Sequence, residues 1–136
     1  MKALNITLMF DGKTETVFNF YKSVFGGEFA ALQRFKDIPG QTVPDDQKDL
    51  ILYVSLPLAG ATLSGMDVPA QMPRPVTGTN FTISLDMESE EETTRIFNGL
   101  SKNAEVRMPL GKQFWATYFG MLTDQFGITW MLSYNK

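Results

Sequence analysis

The chain has 136 residues, of which 43% are hydrophobic and 20% are charged, a composition typical of a globular protein rather than of a disordered segment. Its net charge of -3 offers no basic surface for nucleic acid or for an anionic membrane. The absence of cysteine and histidine excludes disulfides, thiolate catalysis and the two preferred ligands of zinc.

The N-terminal residues read MKALNITLMF and run into a polar turn at Asp11. They lack the long apolar segment and the small-residue cleavage site of a signal peptide. No apolar run approaches the roughly 18 residues that a membrane helix needs. We therefore expect a cytoplasmic protein with no membrane partner.

The first half of the chain predicts a strand, a helix and three further strands. Residues 3–10 alternate between apolar and polar, which favours a strand. From Thr14 to Phe25 apolar residues recur with helical spacing, and Gly26 and Gly27 then end the helix. The further strands are predicted over 28–36, 50–57 and 61–66, with a loop over 37–49 and a hairpin turn at Ala59-Gly60.

The second half predicts the same order after a proline-rich connection over 66–78. Ser89 and Glu92 have the spacing of a capping box, which begins a helix that runs to about Leu100. The strands of this half are predicted over 80–86, 104–109, 115–122 and 128–134.

Two pairs of segments indicate an internal duplication. Residues 5–11 (NITLMFD) align with 80–86 (NFTISLD) at the start of each copy, and residues 60–63 align with 127–130 near its end. The first copy is the longer between these two anchors, so it has the longer internal loop. Two copies are too few for a solenoid, and duplication inside one domain is the better interpretation.

We accordingly predict a single domain over 1–136. Its first module spans about 1–66, a loop spans 67–78, and the second module spans about 79–136.

Several motifs resemble those of one protein family. Phe18–Glu28 reads FNFYKSVFGGE, and the C-terminal signature comprises Trp115-Ala116, Gly120, Asp124-Gln125-Phe126-Gly127 and Trp130, with Gly65 and Asp67 after the predicted fourth strand. These residues resemble the PhnB-like branch of the vicinal oxygen chelate superfamily, which includes glyoxalase I, extradiol dioxygenases and bleomycin-resistance proteins. The resemblance implies an α+β fold of paired βαβββ modules, whose mixed, curved sheets form a cupped pocket.

The resemblance also locates candidate site residues. Metal-using members take four ligands from the first and fourth strands of each module. The corresponding positions here are Asn5, Ser64, Asn80 and Met131, and Tyr53 occupies a third-strand position that is commonly histidine. Because this set carries no negative charge, we expect no metal and no cofactor, and we assign all five residues to ligand binding.

Three functional hypotheses follow, and the first leads. It is a module that binds a small organic ligand. The second is an enzyme with metal-independent or weakly metal-dependent chemistry, of lyase, isomerase or oxygenase type, with Glu28, Asp67, Glu105 or Tyr53 as acid or base. The third is a structural or interaction protein whose pocket is closed by side chains. The sequence identifies neither a catalytic group nor the ligand.

The aspartates at predicted turns have structural interpretations, because carboxylates there cap and bend the backbone. These are Asp11, Asp67, Asp86 and Asp124. We further expect a homodimer, since exposed sheet edges need cover, with the loop over 66–78 and the strand Trp115–Tyr118 as interface candidates. No nucleic-acid partner is expected.

Overall fold

The computed structural model describes all 136 residues, Met1–Lys136, which form two compact units, Met1–Val76 and Thr77–Lys136. Each unit has the order strand, helix, strand, strand, strand. The first contains β1 (Ile6–Phe10), α1 (Thr14–Phe25), β2 (Ala31–Arg34), β3 (Ile51–Leu58) and β4 (Ala61–Asp67). The second contains β5 (Ile83–Met87), α2 (Glu90–Leu100), β6 (Glu105–Gln113), β7 (Ala116–Thr123) and β8 (Thr129–Tyr134).

Each unit builds one mixed four-stranded sheet. The strand orders are β1-β4-β3-β2 and β5-β8-β7-β6. In each sheet the first and last strands of the unit run parallel, and the other pairs are antiparallel. The predicted α+β class with two βαβββ modules is therefore confirmed.

Both helices occur where the sequence predicts them, because their signals are local. Gly26 ends α1 at φ 83° and donates its backbone N–H to the Lys22 carbonyl at 2.8 Å. The Ser89 hydroxyl accepts from the backbone N–H of Glu92 at 3.0 Å at the start of α2. The Glu92 carboxylate reaches the backbone N–H of Glu88, at 3.3 Å, rather than that of Ser89.

Several strand boundaries were predicted wrongly, because strand ends depend on distant partners. β1 begins at Ile6, since its pairing with β4 runs only from Leu63 to Asp67. β2 is shorter than the predicted 28–36 and gives way to a short 3-10 helix at Phe35. β5 begins at Ile83 and not at residue 80, and β6 continues to Gln113 by shifting its register between Met108 and Gly111, around Pro109.

The helix of each unit packs on its sheet through an aromatic ring and a glycine. In the first unit, a Cβ added at Gly65 would lie 2.3 Å from a ring carbon of Phe18. In the second unit, a Cβ at Gly120 would lie 2.6 Å from a ring carbon of Phe97. Gly65 pairs with Val54 on the neighbouring strand, and Gly120 pairs with Leu132. The glycine therefore lies on the last strand of the first unit, β4, but on the third strand of the second unit, β7. In both units it pairs with one aliphatic residue on the neighbouring strand.

The sheet register corrects the alignment of the two copies. Ile6 pairs with Leu63 and Ile83 pairs with Trp130, and Leu63 and Trp130 are equivalent in the predicted alignment of the fourth strands. Ile6 therefore corresponds to Ile83, whereas the alignment of residues 5–11 matched Ile6 with Phe81. Because a sheet repeats every two residues, this correction moves side chains along the strand without exchanging its faces.

Candidate functional site

In the first unit, two of the predicted site residues lie together. The Tyr53 hydroxyl on β3 and the Ser64 hydroxyl on β4 are 3.1 Å apart, and either can be the donor. Ser64 is 1% exposed and Tyr53 is 39% exposed, so the pair has one buried and one accessible member. Tyr53 and Ser64 lie on the sheet face opposite α1, because the residues that alternate with them, Val54 and Leu63, belong to the buried core.

Asn5 does not join this pair. It precedes β1 and is exposed, since β1 begins only at Ile6. The β1 residue that pairs with Ser64 is Thr7. The assignment of Asn5 to the first strand is therefore wrong, because the strand begins one residue later.

In the second unit, the two predicted site residues Met131 and Asn80 do not lie side by side, because the β5 residue that pairs with Met131 is Ser84. Met131 is half-buried on β8 and pairs with Ser84 of β5 and Met121 of β7. Asn80 precedes β5 and is exposed. The assignment of Asn80 to the first strand of its module is wrong, since that strand begins at Ile83.

A cavity of about 420 Å³ lies within the second unit, formed largely by residues that the sequence did not single out. Its threonines come from the segment before β5 and from the β7–β8 hairpin: Thr77, Thr79, Thr82, Thr123 and Thr129. Arg107, Met121, Gly78 and Gly127 complete the lining. The cluster of threonines in TGTNFT, at residues 77, 79 and 82, was the available signal, but nothing in the sequence places them beside the distant hairpin.

Gly127 lets the segment before β5 approach the hairpin. It has a φ of 88°, and a Cβ there would lie 2.7 Å from the Thr77 methyl carbon. A side chain at this position would both strain the backbone and displace Thr77. This wall of the cavity therefore depends on a glycine.

Polar side chains at the cavity are linked by hydrogen bonds. The Arg107 Nε–H donates to the Thr123 hydroxyl at 3.2 Å, and the Thr123 and Thr129 hydroxyls are 2.9 Å apart. Arg107 Nη1 also lies 3.4 Å from Glu105 Oε1. Arg107 is the one cavity-lining residue with a charged side chain.

The side chains present do not fit a tightly bound divalent metal. No group of three or more Asp, Glu, His or Cys side chains is placed so that it could hold a metal ion. The register places Thr7 beside Ser64 and Ser84 beside Met131, which are hydroxyl and thioether donors. Hard cations need carboxylates to offset dehydration, and softer metals prefer imidazole or thiolate.

Two buried carboxylates are engaged elsewhere. Asp67 accepts from the backbone N–H and hydroxyl of Thr14, at 3.1 and 2.7 Å, and from the backbone N–H of Ile51 at 2.8 Å. Asp124 accepts from the backbone N–H of Phe126 at 2.9 Å, from that of Ile128 at 3.1 Å, and from the indole N–H of Trp130 at 2.9 Å. Both residues hold backbone in place, as the turn interpretation predicts.

The other candidate acids and bases are largely solvent-exposed ion-pair members. The Glu28 side chain is 85% exposed and pairs with Lys22 at 2.9 Å. The Glu105 side chain is 67% exposed and faces Arg107. Neither has a buried environment of the kind that tunes a catalytic carboxylate.

No helix of the structure is both long enough and apolar enough to cross a membrane.

Comparison with known proteins identifies a family. The family model described as 3-demethylubiquinone-9 3-methyltransferase matches residues 2–133. Protein YjdN of Escherichia coli (strain K12) is 28% identical over 141 residues, covering 95% of this chain and 92% of the relative.

Two solved structures are similar over nearly the whole chain. Protein PA1353 from Pseudomonas aeruginosa is 34% identical with a TM-score of 0.87, covering 99% of this chain and 98% of that one. A Bacillus cereus protein described as a putative 3-demethylubiquinone-9 3-methyltransferase, PhnB protein, is 27% identical with a TM-score of 0.75, covering 98% and 99%.

Proposed function

This chain belongs to the 3-demethylubiquinone-9 3-methyltransferase (PhnB) family, with the glyoxalase-like vicinal oxygen chelate fold, and from that premise we propose that it binds a small organic ligand without a catalytic metal. The cavity of about 420 Å³ in the second unit carries the proposal. Small-molecule sites are typically clefts of about 300–1,000 Å³ that combine apolar walls with a few placed polar groups. Here the threonine methyls and Met121 supply the walls, and Arg107 with the threonine hydroxyls supplies the polar groups.

The hydroxyl pair of the first unit supports the same function independently. Two hydroxyls carry two hydrogens, and the Tyr53–Ser64 bond uses one of them. When Ser64 donates, the Tyr53 hydroxyl keeps its hydrogen for a ligand, and when Tyr53 donates, its oxygen can still accept from one. We therefore propose Tyr53 and Ser64 as a second contact point for a ligand, and Met131 is included because it pairs with the cavity-lining Met121.

The activity in the family's description is not part of this proposal. Methyl transfer to a hydroxyl is assisted by a base that removes the hydroxyl proton in the transition state. The cavity lining contains no carboxylate, lysine, histidine or tyrosine that could act as that base. The geometry supports binding better than it supports this reaction.

A ligand screen that reads both stability and location tests the proposal. Compounds are ranked by the rise in melting temperature, since a ligand at about 100 times its Kd stabilises by about 2.7 kcal/mol. Methyl NMR signals of Met121, Thr123 and Thr129 should then shift saturably with each stabilising compound. Thr129→Val should weaken binding, and Thr62→Val, a threonine on β4 outside the cavity, should leave it unchanged.

A broad library that yields no stabilising compound would contradict the proposal. So would compounds that stabilise without shifting signals of the cavity or of Tyr53.

A further inference from the structure

The cavity of the second unit contains a cationic side chain in a chain whose net charge is -3. We propose, building on the proposed function, that Arg107 makes this cavity selective for a small organic monoanion, whose carboxylate or equivalent oxyanion contacts Arg107 and the Thr123–Thr129 hydroxyls. Guanidinium groups present planar, paired N–H donors that match the geometry of such an oxyanion.

The Arg107 guanidinium is held in place, but not all of its N–H donors are used. Its Nε–H donates to Thr123, and its Nη1 faces Glu105 at 3.4 Å. Neither of these contacts uses Nη2, and the side chain is 45% exposed. The guanidinium is therefore oriented by the sheet while part of its donor capacity remains available.

The hydroxyl pair extends the donor array. Thr123 accepts from Arg107 and lies 2.9 Å from the Thr129 hydroxyl. Whichever threonine donates to the other, their shared bond uses one of two hydroxyl hydrogens. One hydroxyl hydrogen therefore remains for an acceptor, next to the guanidinium donors.

Charge and apolar surface narrow the ligand class. Glu105 beside Arg107 offsets part of its positive charge, which disfavours a dianion more than a monoanion. Met121 and the threonine methyls offer apolar contact to the remainder of the ligand. A short-chain monocarboxylate meets all of these conditions.

Probes of similar size but different charge separate the contribution of the ligand's charge to binding from that of its shape. Butyrate and the neutral butyramide differ little in size, and inorganic phosphate tests for an anion site without apolar contact. In low-salt buffer, butyrate should shift the Arg107 Nε–H and the Thr123 and Thr129 methyl signals saturably, with at least about tenfold tighter binding than butyramide. Butyrate affinity should fall as salt is raised.

Variants at two positions test the roles of the charges. Arg107→Gln should abolish the preference for butyrate over butyramide, and Arg107→Lys should retain part of it. Glu105→Gln should tighten butyrate binding, because it removes the competing carboxylate. The control Lys112→Gln removes one positive charge from an exposed position on the same strand and should change nothing beyond the weak effect of net charge.

The outcomes distinguish this inference from the proposed function. Equal binding of butyrate and butyramide in the cavity would overturn the monoanion selectivity and leave ligand binding intact. Tighter phosphate than butyrate binding at the same signals would overturn the monoanion class. Probe-induced shifts confined to signals outside the cavity would overturn the site, and no binding by these probes or by the library would contradict both proposals.

Discussion

Asp67 and Asp124 are buried carboxylates that hold backbone in place, Asp67 across distant segments and Asp124 within one turn. Asp67, 2% exposed, links the start of α1 to the start of β3. Asp124, 4% exposed, closes the β7–β8 turn onto the indole of Trp130. Because three N–H or O–H groups donate to each, the desolvation of these charges is offset by hydrogen bonds. Their placement at the ends of strands was visible in the sequence, whereas their burial was not.

Replacing Asp67 by asparagine should therefore destabilise the protein strongly. The asparagine amide can accept from Thr14, but its NH₂ group then faces the N–H of Ile51, and two donors cannot pair. The expected loss is about 3 kcal/mol, measured as a shift in the urea midpoint at constant slope. Asp86→Asn, at a strand position that is not buried, is the control and should change stability by less than about 0.5 kcal/mol. Equal effects of the two substitutions would show that Asp67 has no anchoring role.

At the scale of elements, the helices were predicted from local sequence signals. The strand boundaries and the cavity were not, because they depend on contacts between residues far apart in the chain. The double glycine after Phe25 and the Ser89 cap fix helix ends by contacts within a few residues, so both helices were predicted correctly. Strand starts depend on how far the partner strand extends, and this misplaced the start of β5 and with it Asn80. The cavity was missed for the same reason, since it joins threonines from segments far apart in the chain, such as Thr79 and Thr123.

The contact between Phe18 and Gly65 should tolerate no added methyl. Gly65→Ala places a Cβ 2.3 Å from the Phe18 ring, and the expected cost is about 1–3 kcal/mol. Gly111→Ala is the control, because its nearest contact would be 4.0 Å and its backbone has no positive φ. In a double-mutant cycle, Phe18→Leu combined with Gly65→Ala should lose less stability than the sum of the single changes. Strict additivity would argue against the close contact.

The ion pair between Glu15 of α1 and Arg34 of β2 should make a small, pH-dependent contribution to stability. Arg34 donates to both carboxylate oxygens of Glu15, at 3.1 and 2.5 Å, and this hydrogen bonding holds the pKa of Glu15 below its ordinary value of 4.5. A lowered pKa means that the contribution is present above 4.5 and is lost as the pH falls through the folded-state pKa.

Glu15→Gln should thus destabilise by about 0.5 kcal/mol at neutral pH, a value limited by solvent screening of the half-exposed pair. The difference from the unsubstituted chain should vanish in acid, and urea melts from neutral pH down through the acid range would reveal this. Glu91→Gln controls for the loss of one charge on a helix. A difference that grows in acid would contradict the expected sign.

At the scale of the whole molecule, we propose that the chain forms a homodimer. The predicted interface strand, Trp115–Tyr118, is partly covered within its own unit, since Ala116 is buried. Phe114 and Trp115 at the β6–β7 turn are 96% and 48% exposed, with their rings 4.7 Å apart. Met72 and Val76 in the other candidate segment are also exposed. Large exposed apolar groups of this kind are typical of interaction surfaces.

Sedimentation at micromolar concentration should accordingly give about twice the chain mass of 15.3 kDa. Phe114→Ser with Trp115→Ser should shift the species toward monomer, and Met9→Ser, an exposed residue outside both candidate segments, should not. A single 15.3 kDa species for the unsubstituted chain would refute the dimer.

Metal dependence is a second property to be tested on the whole molecule. Metal-using members of the superfamily polarise substrate oxygens with a divalent ion, so the metal content bears directly on function. The chain has no histidine or cysteine, and no three of its carboxylates are placed so that they could hold a metal ion. An oxygen-only site of neutral hydroxyls would bind Mg²⁺ or Ca²⁺ weakly and would not retain zinc, nickel or iron through dialysis.

Elemental analysis of protein purified without chelator should therefore find less than about one-tenth equivalent of transition metal. Chelator should leave the melting temperature unchanged, since no metal-linked stability exists to lose. Stoichiometric zinc, nickel or iron bound at Ser64 or Met131 would instead restore a metal-dependent enzyme as the leading hypothesis.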